Sequence, residues 1–486
     1  MNNSKFLLAV GICASIFSCQ DDDGIVNPPK GDDIEFKNHS KSPVVLKKFP
    51  GFEDIKIYNL LSSEDTYIPE FIYGSMADGA GLLRNQNGTF TLINNLEADY
   101  SIARIELDQT FKPVKGEYIL NAVATAETAQ CSGSMITREE HGFGPLYLSG
   151  GEWGGNSKGV FATYPFKDAH DASTPRMLPA MGQWSTENAV AIGKKAYPKK
   201  TVVFIGDDNS DNEIPSGQLG MYVGRRGDLV NGKLYGLKVT SPGITYEMDM
   251  VEGIAYHMEF VELKEKQIDL LDAEAKAKGV MGFSRLEDID WRRGTADQNR
   301  EVYLAVTGRD KPGLIGKGTR SGRIYKVELN DHDPTAPGKI TCVLDGDKIG
   351  GKAIEFHSPD NILVTENYAY IQEDPNGIQD FKPEAAHYSR LYQYNLNTGV
   401  LKTVLECDQI AAAAMGYGTE DRIWELTGMI DISDIVGVDE SFLLMTQNHG
   451  WERADGVPFT DPNANPNLEE SQKEGSMMFV VEGLGR

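Results

Sequence analysis

Ten side chains at recurring places in this chain have the chemistry of a metal site: Cys131, Glu152, Glu187, Asp207, Asp208, Glu287, Asp360, Glu373, Asp374 and Glu425. Their spacing is nearly constant. Cys131 and Glu152 lie 21 positions apart, Glu187 and Asp208 also 21, and Glu287 precedes Thr307 by 20. One Asp at a strand end is ordinary turn chemistry. Glutamate is a poor turn former, yet it recurs at matched positions, so the whole set points to a site. Carboxylates crowded around one axis cannot all ionise in a low-dielectric pocket without cationic partners. Hard oxygen donors suit Ca2+, which takes roughly six to eight of them. A thiolate suits a softer transition ion such as iron. The donor types therefore imply a mixed centre, with calcium on the carboxylates and iron near Cys131.

The elements that must position these groups are short and repeated. Six apolar runs, at residues 90–93, 146–148, 202–205, 302–306, 368–371 and 442–445, each lead into a polar tip. Each is followed by a second strand-like run. Five are preceded by a polar-then-apolar segment that carries Cys131, Glu187, Glu287, Asp360 or Glu425. Repeated units of this kind predict an all-β chain, a six-bladed β-propeller over residues 51–486, with the leading strand of each blade lining a central channel. Residues 261–278 are the exception. They are rich in helix formers, with Leu263, Ile268, Leu271 and Ala275 on a rough 3.6 period, and predict a helical insertion at about 258–280.

A net charge of −25 excludes a nucleic-acid partner, which needs a basic footprint. Residues 1–19 read as an export signal: Lys5, then an apolar stretch too short to span a membrane. Residues 15–19 resemble a lipobox that would make Cys19 the acylated N-terminus. The acidic residues 21–23 that follow resemble the signal sending Bacteroidetes lipoproteins to the cell surface. The expectation is an outer-membrane lipoprotein held by an N-terminal lipid anchor, with residues 20–50 as a flexible tether. Cys131, Cys342 and Cys407 remain, an odd number that leaves at least one unpaired.

Residues 131–137 and 145–152, with their cysteine, small residues and strand ending in an acid, resemble the PhoX-type alkaline phosphatase family. So do Arg285-Leu286-Glu287, Pro359-Asp360-Asn361-Ile362 and the strand leading to Glu373 and Asp374. The resemblance implies a six-bladed propeller holding Ca2+ and Fe3+ and hydrolysing phosphate monoesters, so the partners it implies are small phosphate esters. Cys131, Glu152 and Glu287 resemble iron ligands, and Glu187, Asp360 and Asp374 further metal ligands, with Glu373 and Glu425 in the same set. Arg285 resembles the phosphate-binding cation, acting with Glu287 in catalysis. An arginine can grip two phosphate oxygens at once. An acidic channel repels a phosphate dianion until bound cations reverse its field.

Several positions depart from the family pattern. Leu96-Glu97 and Thr186-Glu187 lack a histidine before the glutamate, Gly151-Glu152 replaces paired acids, and residues 447–450 only approximate a Gln-His-Pro ending. These departures bear on metal content and substrate. Two other readings compete with a phosphatase: a calcium-stabilised binding propeller without catalysis, and a phytase-like or lactonase-like propeller hydrolase.

Overall fold

The computed structural model describes residues 34–209, 211–375, 386–467 and 473–486. The expected signal segment, Cys19 and the first part of the tether lie outside the described residues. Nearly all regular structure is strand, and every strand pairing is antiparallel. The strands form up-and-down meanders in a propeller-like arrangement. Ala77–Arg84, Phe90–Leu96, Ser101–Leu107 and Pro113–Leu120 make one four-stranded sheet, and Thr128–Ile136, Leu146–Gly154 and Gly159–Thr163 a three-stranded one. The last two meanders are completed from the N-terminal side: Lys56–Ser62 pairs with Gly475–Glu482, and Leu46–Lys48 with Leu401–Cys407.

The pairing gives five sheets, because two meanders merge. Ala255–Leu263 pairs on one side with Lys233–Val239 and on the other with Gly338–Asp345, joining them in a ten-stranded, nearly closed sheet. This strand takes residues expected to be helical. Met258 and Phe260 alternate inward with period two while their neighbours face out, so the helix begins only at Ile268 and runs to Lys278. Its buried face is Leu271 and Ala275, one turn apart, and Gly279 ends it in the left-handed conformation, which a residue without Cβ adopts at little cost.

The tether is also shorter than expected. Phe36 and Val45 are buried in the core, and His39 and Ser40 donate backbone N–H groups to the Asn59 carbonyl. Apolar residues 44–46 contribute burial that a solvated linker would forgo. Cys131, Cys342 and Cys407 are all buried and free.

Sheet cores are close-packed against one another, and at several points only glycine fits, two of them beside the acidic strands. A Cβ on Gly79 would lie 2.2 Å from the Gly133 nitrogen, and one on Gly150 2.2 Å from the carbonyl oxygens of Thr186 and Glu187. The first contact sets the strand carrying Asp78 against the strand carrying Cys131, and the second sets the strand carrying Glu152 against the strand carrying Glu187.

Candidate metal centre

The innermost strands are Ala77–Arg84, Thr128–Ile136, Thr186–Ala191, Leu286–Trp291, Pro359–Val364 and Glu425–Asp431. Each breaks register with its neighbour where two of its residues oppose one, and Thr128–Ile136 has a second break between Thr128 and Gln130. The bulged pairs are Asp78-Gly79, Cys131-Ser132, Glu187-Asn188, Glu287-Asp288, Asp360-Asn361 and Gly428-Met429. A bulge re-aims side chains that strict alternation would send to opposite faces. In five of the six pairs the first residue is an acid or the cysteine. Gly428 fills that place in the sixth, where Glu425 lies at the start of the strand.

The first residues form one cluster. The ligand atoms of Glu97, Cys131 and Glu152 all lie within 4.8 Å of one another, and the Cys131 thiol donates to Glu152 Oε2 at 3.1 Å. Glu97 is held by Trp153 Nε1 at 2.5 Å and Gln447 Nε2 at 2.9 Å, and Glu187 accepts from the Ser132 N–H at 3.1 Å. Glu425 hydrogen-bonds Asp360, which two bare carboxylates do only by retaining a proton. Thr307 Oγ1 lies 3.1 Å from Asp360 Oδ1, and Thr427 Oγ1 2.8 Å from Asp78 Oδ1.

The tips are placed by a second repeat. The N–H of Glu97, Asp208, Thr307 and Asp374 donates to the carbonyl of Met76, Ser185, Arg285 and Ser358, respectively, at 2.8–3.0 Å. Met76, Arg285 and Ser358 have φ of 54, 65 and 55°. Left-handed backbone without glycine is strained, and such strain gathers at functional sites.

Arg285 lies against two of the acids. Its Nε is 3.1 Å from Asp208 Oδ1, and its Nη2 is 3.2 Å from Asp208 Oδ2 and 2.5 Å from Glu287 Oε1. Burial alone would depress its pKa, but Asp208, Glu287 and Asp360 hold the guanidinium firmly protonated. Burial, reinforced by mutual repulsion, pushes Asp78, Glu187, Glu287 and Glu425 well above the carboxylate range and Asp360 up to about 7. Burial and the surrounding acids push the Cys131 thiol up as well.

This donor set fits metal cations. Asp78, Glu97, Glu152, Glu187, Asp208, Glu287, Asp360, Asp374 and Glu425 act on one another electrostatically, and Arg285 is the one cation in contact with them among the described residues. Only protons or bound cations can balance that charge. Oxygen donors beside a thiolate match hard and soft ions together.

Among the expected ligands, Cys131, Glu152, Glu187, Glu287, Asp360, Asp374 and Glu425 converge here. Glu373 does not. It accepts N–H groups from His357 at 2.8 Å and Arg390 at 3.2 Å and contacts His387 Nε2 at 2.8 Å, so it braces its own sheet. Asp207 likewise turns away to cap the Ser185 N–H at 3.0 Å. His449 is paired with Glu474 at 2.9 Å. Asp78 and Glu97 join the cluster although the expected ligand set omitted them. Their separation of 19 positions, close to that of the other pairs, is the signal that marks them.

The second residues of the bulges close the channel beneath the cluster. Asn188 Nδ2 donates to Asp288, whose Oδ2 accepts the Ile362 N–H at 3.0 Å. Asn361 Nδ2 reaches across to Ser132 Oγ at 2.7 Å. A cavity of about 880 Å3 is lined by this belt together with residues such as Met135, Trp291 and Met429, and none of the clustered acids above the belt lines it.

The fold and the family follow from comparison with known proteins. The structure of Pseudomonas fluorescens PhoX in complex with vanadate, a transition-state analogue, superposes with a TM-score of 0.62 at 14% identity, covering 90% of this chain and 96% of that one. The AfRom2 CNH domain matches with a TM-score of 0.35 at 11% identity over 89% of this chain and 100% of its own. No curated protein matches the sequence at a significant level. The family model of the alkaline phosphatase PhoX matches residues 165–435, more than half of the chain and four of the six innermost strands, and the chain belongs to the PhoX alkaline phosphatase family.

Proposed function

We propose that this chain is a metal-dependent phosphatase that hydrolyses extracellular phosphate monoesters at a calcium- and iron-loaded centre in a six-bladed propeller. The two meanders merged in the ten-stranded sheet count as separate blades in this reading, since each has its own bulged inner strand. The observation that carries the function is the convergence of Glu97, Cys131 and Glu152 within 4.8 Å, inside a cluster whose charge demands cations. Cys131, Glu97, Glu152 and Glu287 would hold iron, and Asp78, Glu187, Asp360, Asp374 and Glu425 calcium. Bound ions supply the positive charge that polarises a phosphoryl group and stabilises its displacement.

The chain's own residues orient the substrate. Asp208 and Glu287 fix the plane of Arg285, leaving Nη1 to donate to a phosphoryl oxygen. The Trp153 and Gln447 bonds hold Glu97 in place and offset part of the burial that raises its pKa. Acylated at Cys19, the protein would stand on the outer-membrane surface and act on esters outside the cell.

The test uses the chain from residue 34 onward. Bound calcium and iron are measured by elemental analysis together with p-nitrophenyl phosphate hydrolysis, for wild type and Cys131→Ser. The expected result is phosphatase activity that disappears on metal removal and iron content that falls in the variant. Activity that persists without metal, or iron equal in both proteins, would overturn the assignment.

A further inference from the structure

The Arg285 fork is largely spent within the protein. Its Nε and Nη2 are committed to Asp208 and Glu287, so only Nη1 remains for an anion, and a two-point grip needs a second donor. Arg309 stands beside it. Thr307 and Gly308 donate their N–H groups to the carbonyls of Arg285 and Ser284 at 3.0 and 2.9 Å, which fixes the start of this loop against the Arg285 backbone. The Arg309 side chain then crosses to the neighbouring loop, where Nε donates to Asn212 Oδ1 at 3.0 Å, four residues beyond Asp208. Arg285 and Arg309 thus bridge the same two loops side by side, near enough that each charge is felt at the other. Arg309 is only partly exposed; Asp208 and Asp211 attract it at longer range, but among the described residues no carboxylate forms an ion pair with it and both of its Nη atoms are uncommitted. Two like charges held together, one oriented by a neutral amide, is an arrangement that an anion stabilises.

We propose that Arg309 is a second phosphate-binding residue, gripping a phosphoryl group through its Nη atoms together with Nη1 of Arg285. The inference rests on the phosphatase reading and adds a residue that neither the repeat nor the family motifs mark. The loop that carries it is basic, with Lys311, Lys317 and Arg320 following, opposite a loop holding Asp207, Asp208, Asp211 and Glu213.

The test compares metal-loaded wild type with Arg309→Ala, Arg309→Lys and Asn212→Ala, using inorganic phosphate as the probe. Phosphate affinity is read by calorimetry and as competitive inhibition of p-nitrophenyl phosphate hydrolysis. Loss of a charged donor pair should weaken phosphate binding roughly 10- to 100-fold in Arg309→Ala, with calcium and iron content unchanged. The KM should rise in step and kcat change less, as for a contact made in both ground and transition states. Lysine should restore part of the loss by charge alone, and Asn212→Ala should show a smaller loss. Phosphate affinity in Arg309→Ala within twofold of wild type would sink the proposal and leave the phosphatase reading standing. A wild type that binds no phosphate and hydrolyses no ester would overturn both.

Discussion

Chelated protein should lose stability as pH rises from 5 to 8, and calcium should protect it far more at pH 8 than at pH 5. Burial leaves Asp360 and Asp288 with pKa values of about 7, and Glu187, Asp78 and Glu425 well above the usual range. Unfolded, such groups titrate near 4. Between pH 5 and each folded pKa the unfolded chain has released a proton that the native chain retains. The unfolded state then binds fewer protons, and stability falls with pH throughout that window. For Asp360 alone, about two pH units at about 1.36 kcal/mol each amount to about 3 kcal/mol. Buried His141, whose pKa burial lowers, works the other way. It destabilises the fold below its unfolded pKa near 6.5, by at most about 2 kcal/mol at pH 5. Asp288 and the more strongly shifted acids add to the Asp360 side, so the carboxylates win. Metal binding requires those protons to leave, so its contribution grows with pH. Thermal unfolding of chelated protein at pH 5 and 8, with and without excess calcium, reads the effect as several degrees. Equal or higher apo stability at pH 8, or calcium protection independent of pH, would refute the reasoning.

Two further outcomes follow from the same geometry. Trp153→Phe removes the N–H that holds Glu97 and keeps the edge-to-face packing on Tyr100 (ring centroids 5.6 Å apart); metal affinity should fall about 10- to 100-fold, with thermal stability of the apo protein nearly unchanged, as read by metal titration and calorimetry. Gly150→Ala drives a Cβ to 2.2 Å from the Thr186 and Glu187 carbonyl oxygens; the overlap is with backbone and should cost at least about 1–3 kcal/mol in denaturant unfolding, and an unchanged midpoint would show that the strands can part there without penalty.

Much of this arrangement is legible from residue order. The tip-bearing runs at 90–93, 202–205, 302–306 and 368–371 fall within the second strands of their meanders, and the segments carrying Cys131, Glu187, Glu287, Asp360 and Glu425 are the innermost ones. Hydrophobic alternation reports each strand locally, so it survives the absence of tertiary information. What it does not report is which neighbour a carboxylate finds. Glu373 and Asp374 are adjacent and alike in sequence. Only the fold shows that Glu373 meets the His357 and Arg390 N–H groups while Asp374 faces Asp360 and Glu425. The helix starts later than its helix formers suggest for a similar reason: residues 258–263 carry strong helix formers, and the sheet edge at Lys233–Val239 recruits them into a strand, as tertiary pairing overrides propensity. Asp78 was hidden because its strand opens on small residues, Ala77, Gly79, Ala80 and Gly81, whose packing value lies in what they let approach.

The bulge explains why one short strand can serve both the candidate metal centre and the structure that supports it. In a regular strand, consecutive residues face opposite sides, and only one of Glu287 and Asp288 could reach the channel. With two residues set against Ala305 alone, Glu287 reaches Arg285 while Asp288 reaches Asn188 and the Ile362 N–H. The same division holds for Glu187 with Asn188 and for Asp360 with Asn361. The first residue of each of these pairs contributes charge that must be neutralised, and the second contributes buried hydrogen bonds between neighbouring inner strands that hold them together against that charge. The repulsion in the upper layer is opposed in the absence of metal by bonds in the lower layer: Asp288 accepts from Asn188, Ile289 and Ile362, which offset part of its burial. A centre built this way stays assembled while its ligands are still protonated, ready to exchange those protons for cations.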